Sequence, residues 1–240
     1  MAISKLFRDW TEYATDLIYG SDGTVLAPNK SNFYAILCNG NVADTSSKAL
    51  VIASEAIAIT ASGYQRSNVS FISSNSTYDS INKRWVMPVL TWNAQFGESI
   101  QYNCAAILSE ARSIASVPVS VIAGTPAIFE TIDAHQLSVG EEIMISADVS
   151  GTSPPGINAG DIYYVANIIS STQFRVCTDV QARSYTQIAL TSSGSNLRLR
   201  YAKGRLVGFR LEDSIQSLMA NQSVAWTFTL TGTAYSGVGE

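Results

Sequence analysis

Histidine and cysteine, which most often bind metals or act as nucleophiles, are scarce in this sequence. The 240 residues contain one histidine, His135, and three cysteines, Cys38, Cys104 and Cys177, with no Cys-x-x-Cys pair. A zinc site needs several such ligands within reach of one another, and a catalytic histidine needs a positioned carboxylate or nucleophile. We therefore interpret His135 as a turn-capping or surface residue, and the three cysteines as buried free thiols.

The usual catalytic motifs are also missing. The sequence has no phosphate-binding glycine loop, no nucleophile elbow and no His-Glu-x-x-His pattern. The adjacent carboxylates Glu141–Glu142 and Glu212–Asp213 alternate between opposite faces of a strand, so neither is expected to act as an acid–base pair. We predict a protein that is not an enzyme and uses no metal or cofactor.

Charge is low as well, at 14% of residues with a net charge of −4, against a typical quarter. The densest basic group has the alternation of a solvent-facing strand rather than of a nucleic-acid interface; it consists of Arg198, Arg200, Lys203 and Arg205. No apolar run approaches the roughly 18 residues that span a bilayer, and the N-terminus lacks the apolar core of a secretory signal. We expect neither a nucleic-acid nor a membrane partner, and assembly in a reducing cytoplasm.

Short segments with a period of two are abundant instead. NFYAILC places Tyr34, Ile36 and Cys38 on one face. The clean alternation from Ile100 to Leu108 predicts a half-buried strand. Such segments recur about every ten residues with turn signals between them, a spacing typical of β-sandwiches and jelly rolls. The predicted fold class is all-β, with an antiparallel sandwich or jelly-roll-like domain.

The N-terminal residues 1–20 have a loosely helical apolar spacing. This pattern favours a short helix or an arm, which either packs on its own domain or docks on a neighbouring subunit. Leu6, Phe7 and Trp10 are the candidate anchors for a partner.

Two groups of motifs carry a family resemblance. NFYAILC, the Gly63-Tyr64-Gln65-Arg66 element, an LTW strand, an IQY strand and a final SVAWTFTL strand resemble a β-sandwich domain of phage structural proteins. In that domain Gly63 permits a tight bend, while Tyr64 and Arg66 project to the same side of the following strand. We interpret Gly63, Tyr64 and Arg66 as a structural corner rather than a ligand site.

The second group lies between Ala134 and Val176. HQLSVGEEI, PPGINAGDIYYV and STQFRV resemble, in order, a small β-module that recurs in structural proteins of tailed bacteriophages. Gly140 and Gly160 are expected to allow positive φ at strand entries. The module interrupts the first domain, so we predict a discontinuous sandwich over 21–116 and 204–240 and an inserted β-domain over 117–203.

The resemblance implies a virion structural protein assembled in the host cytoplasm. A capsid decoration (cement) protein is favoured, with the major capsid protein as partner and a homotrimer as the expected oligomer. The alternative is a tail, neck, baseplate or fibre component with a receptor- or glycan-binding insert. Tyr163 and Tyr185 are the candidate exposed aromatics of the insert, for subunit contacts or for a host glycan.

Overall fold

Alternating apolar segments form nearly all the regular structure. The computed structural model describes residues 3–8, 10, 32–55, 64–69, 77–81, 84–93, 99–179, 186–219 and 222–231. These residues include fourteen strands and one short helix whose two ends are both described, and Arg8 and Trp10 are also helical. In chain order the strands and this short helix are β1 (Ile3–Leu6), β2 (Phe33–Cys38), α1 (Lys48–Ser54), β3 (Ser67–Val69), β4 (Thr77–Asp79), β5 (Arg84–Asn93), β6 (Ile100–Ser109), β7 (Ser116–Ile122), β8 (Ile128–Thr131), β9 (Glu142–Thr152), β10 (Tyr163–Ile168), β11 (Gln173–Cys177), β12 (Ser195–Tyr201), β13 (Arg205–Leu218) and β14 (Ser223–Thr231).

The strands form two sheets and one closed barrel. The five-stranded sheet has the order β1-β13-β6-β2-β3, the barrel has the order β10-β11-β8-β7-β12-β9, and a three-stranded sheet has the order β14-β5-β4. Each described ladder between named strands is antiparallel. The prediction of an antiparallel, mostly β protein is confirmed.

In the amino-acid sequence, the barrel is inserted between two strands that are neighbours in the five-stranded sheet. β6 ends at Ser109 and β13 begins at Arg205, and these two residues are register partners. All six barrel strands fall between them in the chain. The chain therefore leaves the five-stranded sheet and returns to it at one point, over a range close to that of the predicted insert.

The five-stranded sheet is buried on both faces. On β2, Ile36 and Cys38 lie in one core cluster with Tyr34 packed against it, which is the shared face expected from the alternation. The intervening residues Phe33 and Leu37 are buried in a second cluster on the opposite face. The period of two therefore marks two apolar environments rather than one core face and one solvent face.

The prediction that β6 is half-buried is wrong for the same reason. Ile100 and Tyr102 belong to one cluster, whereas Cys104 and Leu108 belong to the other. The ladder between β6 and β13 shifts register between Tyr102 and Cys104. A bulge of this kind changes which residues of a strand share a face, so the uninterrupted alternation in the sequence does not follow one face of the sheet.

The N-terminal segment begins as a strand, and Arg8 and Trp10 after it are helical. β1 pairs with β13 at the edge of the five-stranded sheet. Helix α1 is capped at its N-terminus by Ser47, whose side chain accepts from the Leu50 N–H at 3.2 Å. Its buried residues Val51 and Ile52 cover the cluster that contains Cys38.

Candidate functional site: the sheet–barrel junction

A buried carboxylate lies at the centre of the junction between the five-stranded sheet and the barrel. Glu55 directly follows α1 and is 1% exposed. The Arg66 guanidinium binds it in a bidentate pair, with Nε 2.9 Å from Oε1 and Nη2 2.8 Å from Oε2. The Tyr64 hydroxyl donates to Oε1 at 3.2 Å and accepts from the Leu37 N–H at 3.1 Å. Such fixed hydrogen bonds replace the water that burial removes from the two charges.

Burial and this carboxylate determine the ionisation of the cluster. Burial, followed by the negative charge of Glu55, raises the pKa of Tyr64 well above its ordinary value, so the phenol stays protonated. Burial alone would lower the pKa of Arg66, but the charge of Glu55 and its hydrogen bonds outweigh that effect and raise it. The geometry is that of a structural ion pair.

Two arginines connect this cluster to the barrel. Arg66 Nη2 also donates to the Tyr201 carbonyl, at the end of β12, at 2.9 Å. In the opposite direction Arg200 Nη1 donates to the carbonyls of Ile52 and Ala53 at 3.1 and 3.2 Å. The last carbonyls of a helix have no intrahelical partner and favour a cation. The expectation that Arg200 lies on a solvent face is therefore wrong, because the end of α1 lies against β12.

A second ion pair fixes the segment between β6 and β7. Arg112 binds Glu141 through Nε–Oε1 at 2.8 Å and Nη2–Oε2 at 2.6 Å, and it donates to the Gln136 carbonyl at 2.6 Å. Its guanidinium lies 5.0 Å from the ring centroid of Tyr201, within cation–π range. The Tyr201 hydroxyl donates to the His135 carbonyl at 3.0 Å. Tyr201 therefore contacts both ion pairs.

An open cleft of about 790 Å³ lies beside this junction. Lys48 crosses it, donating to Glu142 and to the Gly204 carbonyl at 3.0 Å. Glu141 and Glu142 thus have different cationic partners. The cleft is lined by Ser46–Lys48, Glu110, Ser138–Glu142, Tyr164 and Lys203–Arg205.

The three motifs between Ala134 and Val176 lie in one closed barrel. HQLSVGEEI leads into β9, PPGINAGDIYYV leads into β10, and STQFRV contains most of β11. Gly140 has φ +83°, as predicted, and Gly156 has φ +99°. Gly160 is outside the positive-φ region, so the prediction for that residue is wrong.

His135 is a turn-capping residue but not a surface residue. Its Nδ1 accepts from the Leu137 N–H at 2.9 Å, and its Nε2 lies 3.1 Å from the Ser170 carbonyl oxygen. Nδ1 must be unprotonated to accept, so the proton lies on Nε2. The residue is 3% exposed and packs edge-on against Phe174. Its task in the barrel is to satisfy buried backbone groups.

The three predicted anchors differ in their surroundings. Phe7 is 0% exposed, and its ring centroid lies 4.7 Å from that of Phe209. Phe7 is therefore unavailable to a partner in this conformation, which corrects its assignment as an anchor. Leu6 is half-buried, and Trp10 packs partly exposed with its ring edge against Phe33.

The predicted aromatic sites of the insert also need correction. Tyr163 is 1% exposed, lies in the barrel core and accepts from the Asn158 N–H at 2.7 Å. Its neighbour Tyr164 points the other way and lines the cleft. The expectation that Tyr163 is exposed is wrong because it shares a face with Val165, which is in the same core. Tyr185 and Gly63 lie outside the described residues.

Glu55 and Arg112 were not among the site residues predicted from the sequence. Glu55 stands alone as a carboxylate in the apolar stretch VIASEAIAI, eleven residues before Arg66. An isolated charge in such a stretch is a signal for a buried partner. Arg112 carries no comparable signal, because its partner Glu141 is distant in the chain and lies among ordinary turn residues.

No family model, curated protein or solved structure matches this chain. Among the described residues, no group of three or more His, Cys, Asp or Glu side chains is arranged to hold a metal ion. In the same part of the chain, no helix has the length and apolar character needed to span a membrane.

Proposed function

We propose that this chain is a structural protein of a tailed-phage virion, and specifically a capsid decoration protein that acts without enzymatic activity. One observation carries the proposal. The three sequence motifs that resemble the phage module lie on successive strands of one closed barrel, which is inserted at a single point of a β-sheet domain. The motifs therefore correspond to one structural unit, as expected of a module that recurs in different proteins.

The remaining β-sheets form the attachment domain in this proposal. We interpret them as the sandwich or jelly-roll-like domain, with β14 near β1 and β13, and β5 near β3. Its partner is the major capsid protein, and the chain acts as a homotrimer. The hydrogen bond from Arg66 to the Tyr201 carbonyl and the Arg112–Glu141 ion pair hold the barrel at a defined orientation, so that the attached domain presents it away from the shell.

Attachment is assigned to the N-terminal segment. Trp10 is partly exposed beside Phe33 of β2, and Leu6 is half-buried at the end of the edge strand β1. Apolar groups in this segment bury area against neighbouring capsomers, and stabilisation by a cement protein scales with that area.

Binding to undecorated heads tests the proposal. Full-length protein is expected to bind them in a pelleting assay, and Trp10→Ala to weaken that binding. The matched control is Ile132→Ala, on the barrel, where Ile132 is 84% exposed; it should bind like the parent. Electron cryo-microscopy of intact particles decides the location: density on the head lattice supports the decoration role, whereas density at the tail alone contradicts it.

The second candidate is a tail, neck or baseplate component whose barrel binds a host glycan. A groove of about 600 Å³ on the barrel favours it, since hydroxyl, amide and carboxylate groups suit sugar hydroxyls; the polar lining includes Ser120, Glu130, Thr172, Ser195 and Asn196. This function predicts adhesion to host polysaccharide that Ser120→Trp abolishes and Trp10→Ala leaves unchanged. Adhesion that survives filling of the groove would exclude this site.

A further inference from the structure

Two of the three free cysteines face each other across the five-stranded sheet. Cys38 on β2 and Cys104 on β6 are direct register partners. Both are 0% exposed and belong to the same core cluster, so their side chains lie on the same face. They are 66 residues apart in the sequence, and their proximity is a product of the fold.

The backbone hydrogen bonds on either side of Cys38 show which kind of antiparallel pair the two cysteines form. The Leu37 N–H donates to Tyr64 Oη, and the Asn39 N–H donates to the Ser54 carbonyl, so both point away from β6. Since backbone groups alternate sides along a strand, those of Cys38 point towards β6. The two cysteines thus form a hydrogen-bonded pair, for which Cα atoms are about 5.5 Å apart. That separation is inside the range of about 4.4–6.8 Å found for disulfides.

The thiols are unreactive while the sheet is closed. Burial raises the pKa of the Cys38 thiol well above its usual value, and the hydrogen bond and charge of Cys104 raise it further. Cys38 Sγ also lies 3.7 Å from the Val51 carbonyl. A protonated, inaccessible thiol does not attack a disulfide. Reaction therefore requires the end of β2 to be open, as it is during folding.

We propose that Cys38 and Cys104 are a redox pair that closes to an inter-strand disulfide by exchange with a small-molecule disulfide such as oxidised glutathione. One cysteine thiolate attacks the oxidant, forming a mixed disulfide and releasing one glutathione. The second cysteine thiolate attacks the protein sulfur of that mixed disulfide and releases the second glutathione. The two cysteines are oxidised, the glutathione disulfide is reduced, and the two cysteine protons end on the released thiols.

The bond is reversible for a geometric reason. Side chains of a hydrogen-bonded pair are further apart at Cβ than those of a non-hydrogen-bonded pair, and a disulfide requires about 3.8 Å between its Cβ atoms. Closing it draws β2 and β6 together. A disulfide under strain is more easily reduced than an unstrained one.

Cys177 supplies an internal control. It lies on the barrel, opposite Tyr164 of β10, and its Sγ is close to the carbonyls of Tyr164 and Asp179, at 3.6 and 3.4 Å. Its register partner is not a cysteine, so it should remain a thiol under conditions that oxidise the pair.

The experiment is refolding of the reduced, full-length chain in mixtures of reduced and oxidised glutathione, followed by alkylation and peptide mapping. Two of the three thiols are expected to become protected, through a Cys38–Cys104 linkage that dithiothreitol removes. Cys177→Ser should form the same linkage, and Cys104→Ser should not. Three alkylatable thiols at every glutathione ratio, or linkages to Cys177 as frequent as Cys38–Cys104, would overturn the proposal. The thiol count of the parent protein decides this even where a serine variant does not fold.

Discussion

The barrel and the five-stranded sheet differ in how they obtain their cores. The barrel core is one cluster whose buried members all lie between Val119 and Tyr201. The sheet is buried on both faces, and one of its clusters includes Met144 and Ala202, which come from the barrel and its exit. The Arg66 side chain of the sheet domain also needs the Tyr201 carbonyl. The barrel is therefore self-contained, whereas the sheet depends on it.

Separating the two regions should give the largest effect. Residues 114–203, expressed alone, are expected to fold and melt cooperatively, because their core is complete and their length is sufficient for an independent domain. The chain in which a two-residue turn joins Ser109 to Arg205 should lose cooperative folding, since its core loses Met144 and Ala202 and Arg66 loses the Tyr201 carbonyl. Circular dichroism melts measure both; a joined sheet as stable as the full chain would show that the sheet does not depend on the barrel.

Removing Arg66, the buried cation of the junction, should cause the second-largest loss of stability. Arg66→Leu leaves Glu55 buried without its ion-pair partner, which costs about 3–5 kcal/mol in the free energy of unfolding. Urea titration measures the loss. The double variant Glu55→Leu/Arg66→Leu is the control: it removes the stranded charge and should recover most of the stability. Equal losses in the single and double variants would show that packing, rather than the unpaired charge, is responsible.

The second ion pair should contribute less. Arg112→Ala is expected to cost about 1–2 kcal/mol, because Glu141 is nearly buried but keeps the Ser138 N–H as a donor. Arg198→Ala removes a more exposed pair with Asp148 and should cost less than about 1 kcal/mol. Urea titrations of both variants provide the comparison. A larger cost for Arg198→Ala would place the stabilising contacts in the barrel instead of the junction.

Among the junction residues, the buried phenol of Tyr64 should give the smallest effect. The folded-state pKa of Tyr64 is raised above its ordinary value of 10.0, so its contribution is present below pH 10 and is lost as the pH rises through the folded pKa. Tyr64→Phe should cost about 1 kcal/mol at neutral pH through lost hydrogen bonds. The variant should also show a weaker fall in stability under alkaline conditions. Unfolding titrations across the alkaline range test both; parallel pH profiles would contradict the assignment.

Local patterns predicted the strands well. The alternation in NFYAILC correctly places Tyr34, Ile36 and Cys38 together, and the glycine at 140 adopts the expected positive φ. These features depend on a few neighbouring residues. By contrast, the face of the sheet on which alternate β6 residues lie changes at the register shift with β13. No pattern within β6 itself reveals this shift.

The junction was largely inaccessible to sequence reasoning. Arg200 alternates like a surface residue, and its contact with the end of α1 covers it in part. No local sequence pattern connects Cys38 with Cys104, because the pairing of β2 with β6 joins distant parts of the chain. For Tyr163 the information was present, since Val165 two residues later shares its face.

The single entry point of the barrel has a mechanical consequence. A pull on the barrel acts on the end of β6 and the start of β13, which are adjacent and antiparallel, so the load would open their ladder one pair at a time. The bonds from Arg66 to Tyr201 and from Arg200 to α1 attach the barrel to other parts of the sheet domain. These side chains share the load that the two backbone strands would otherwise bear alone, and they determine how much force the barrel transmits before the sheet unzips.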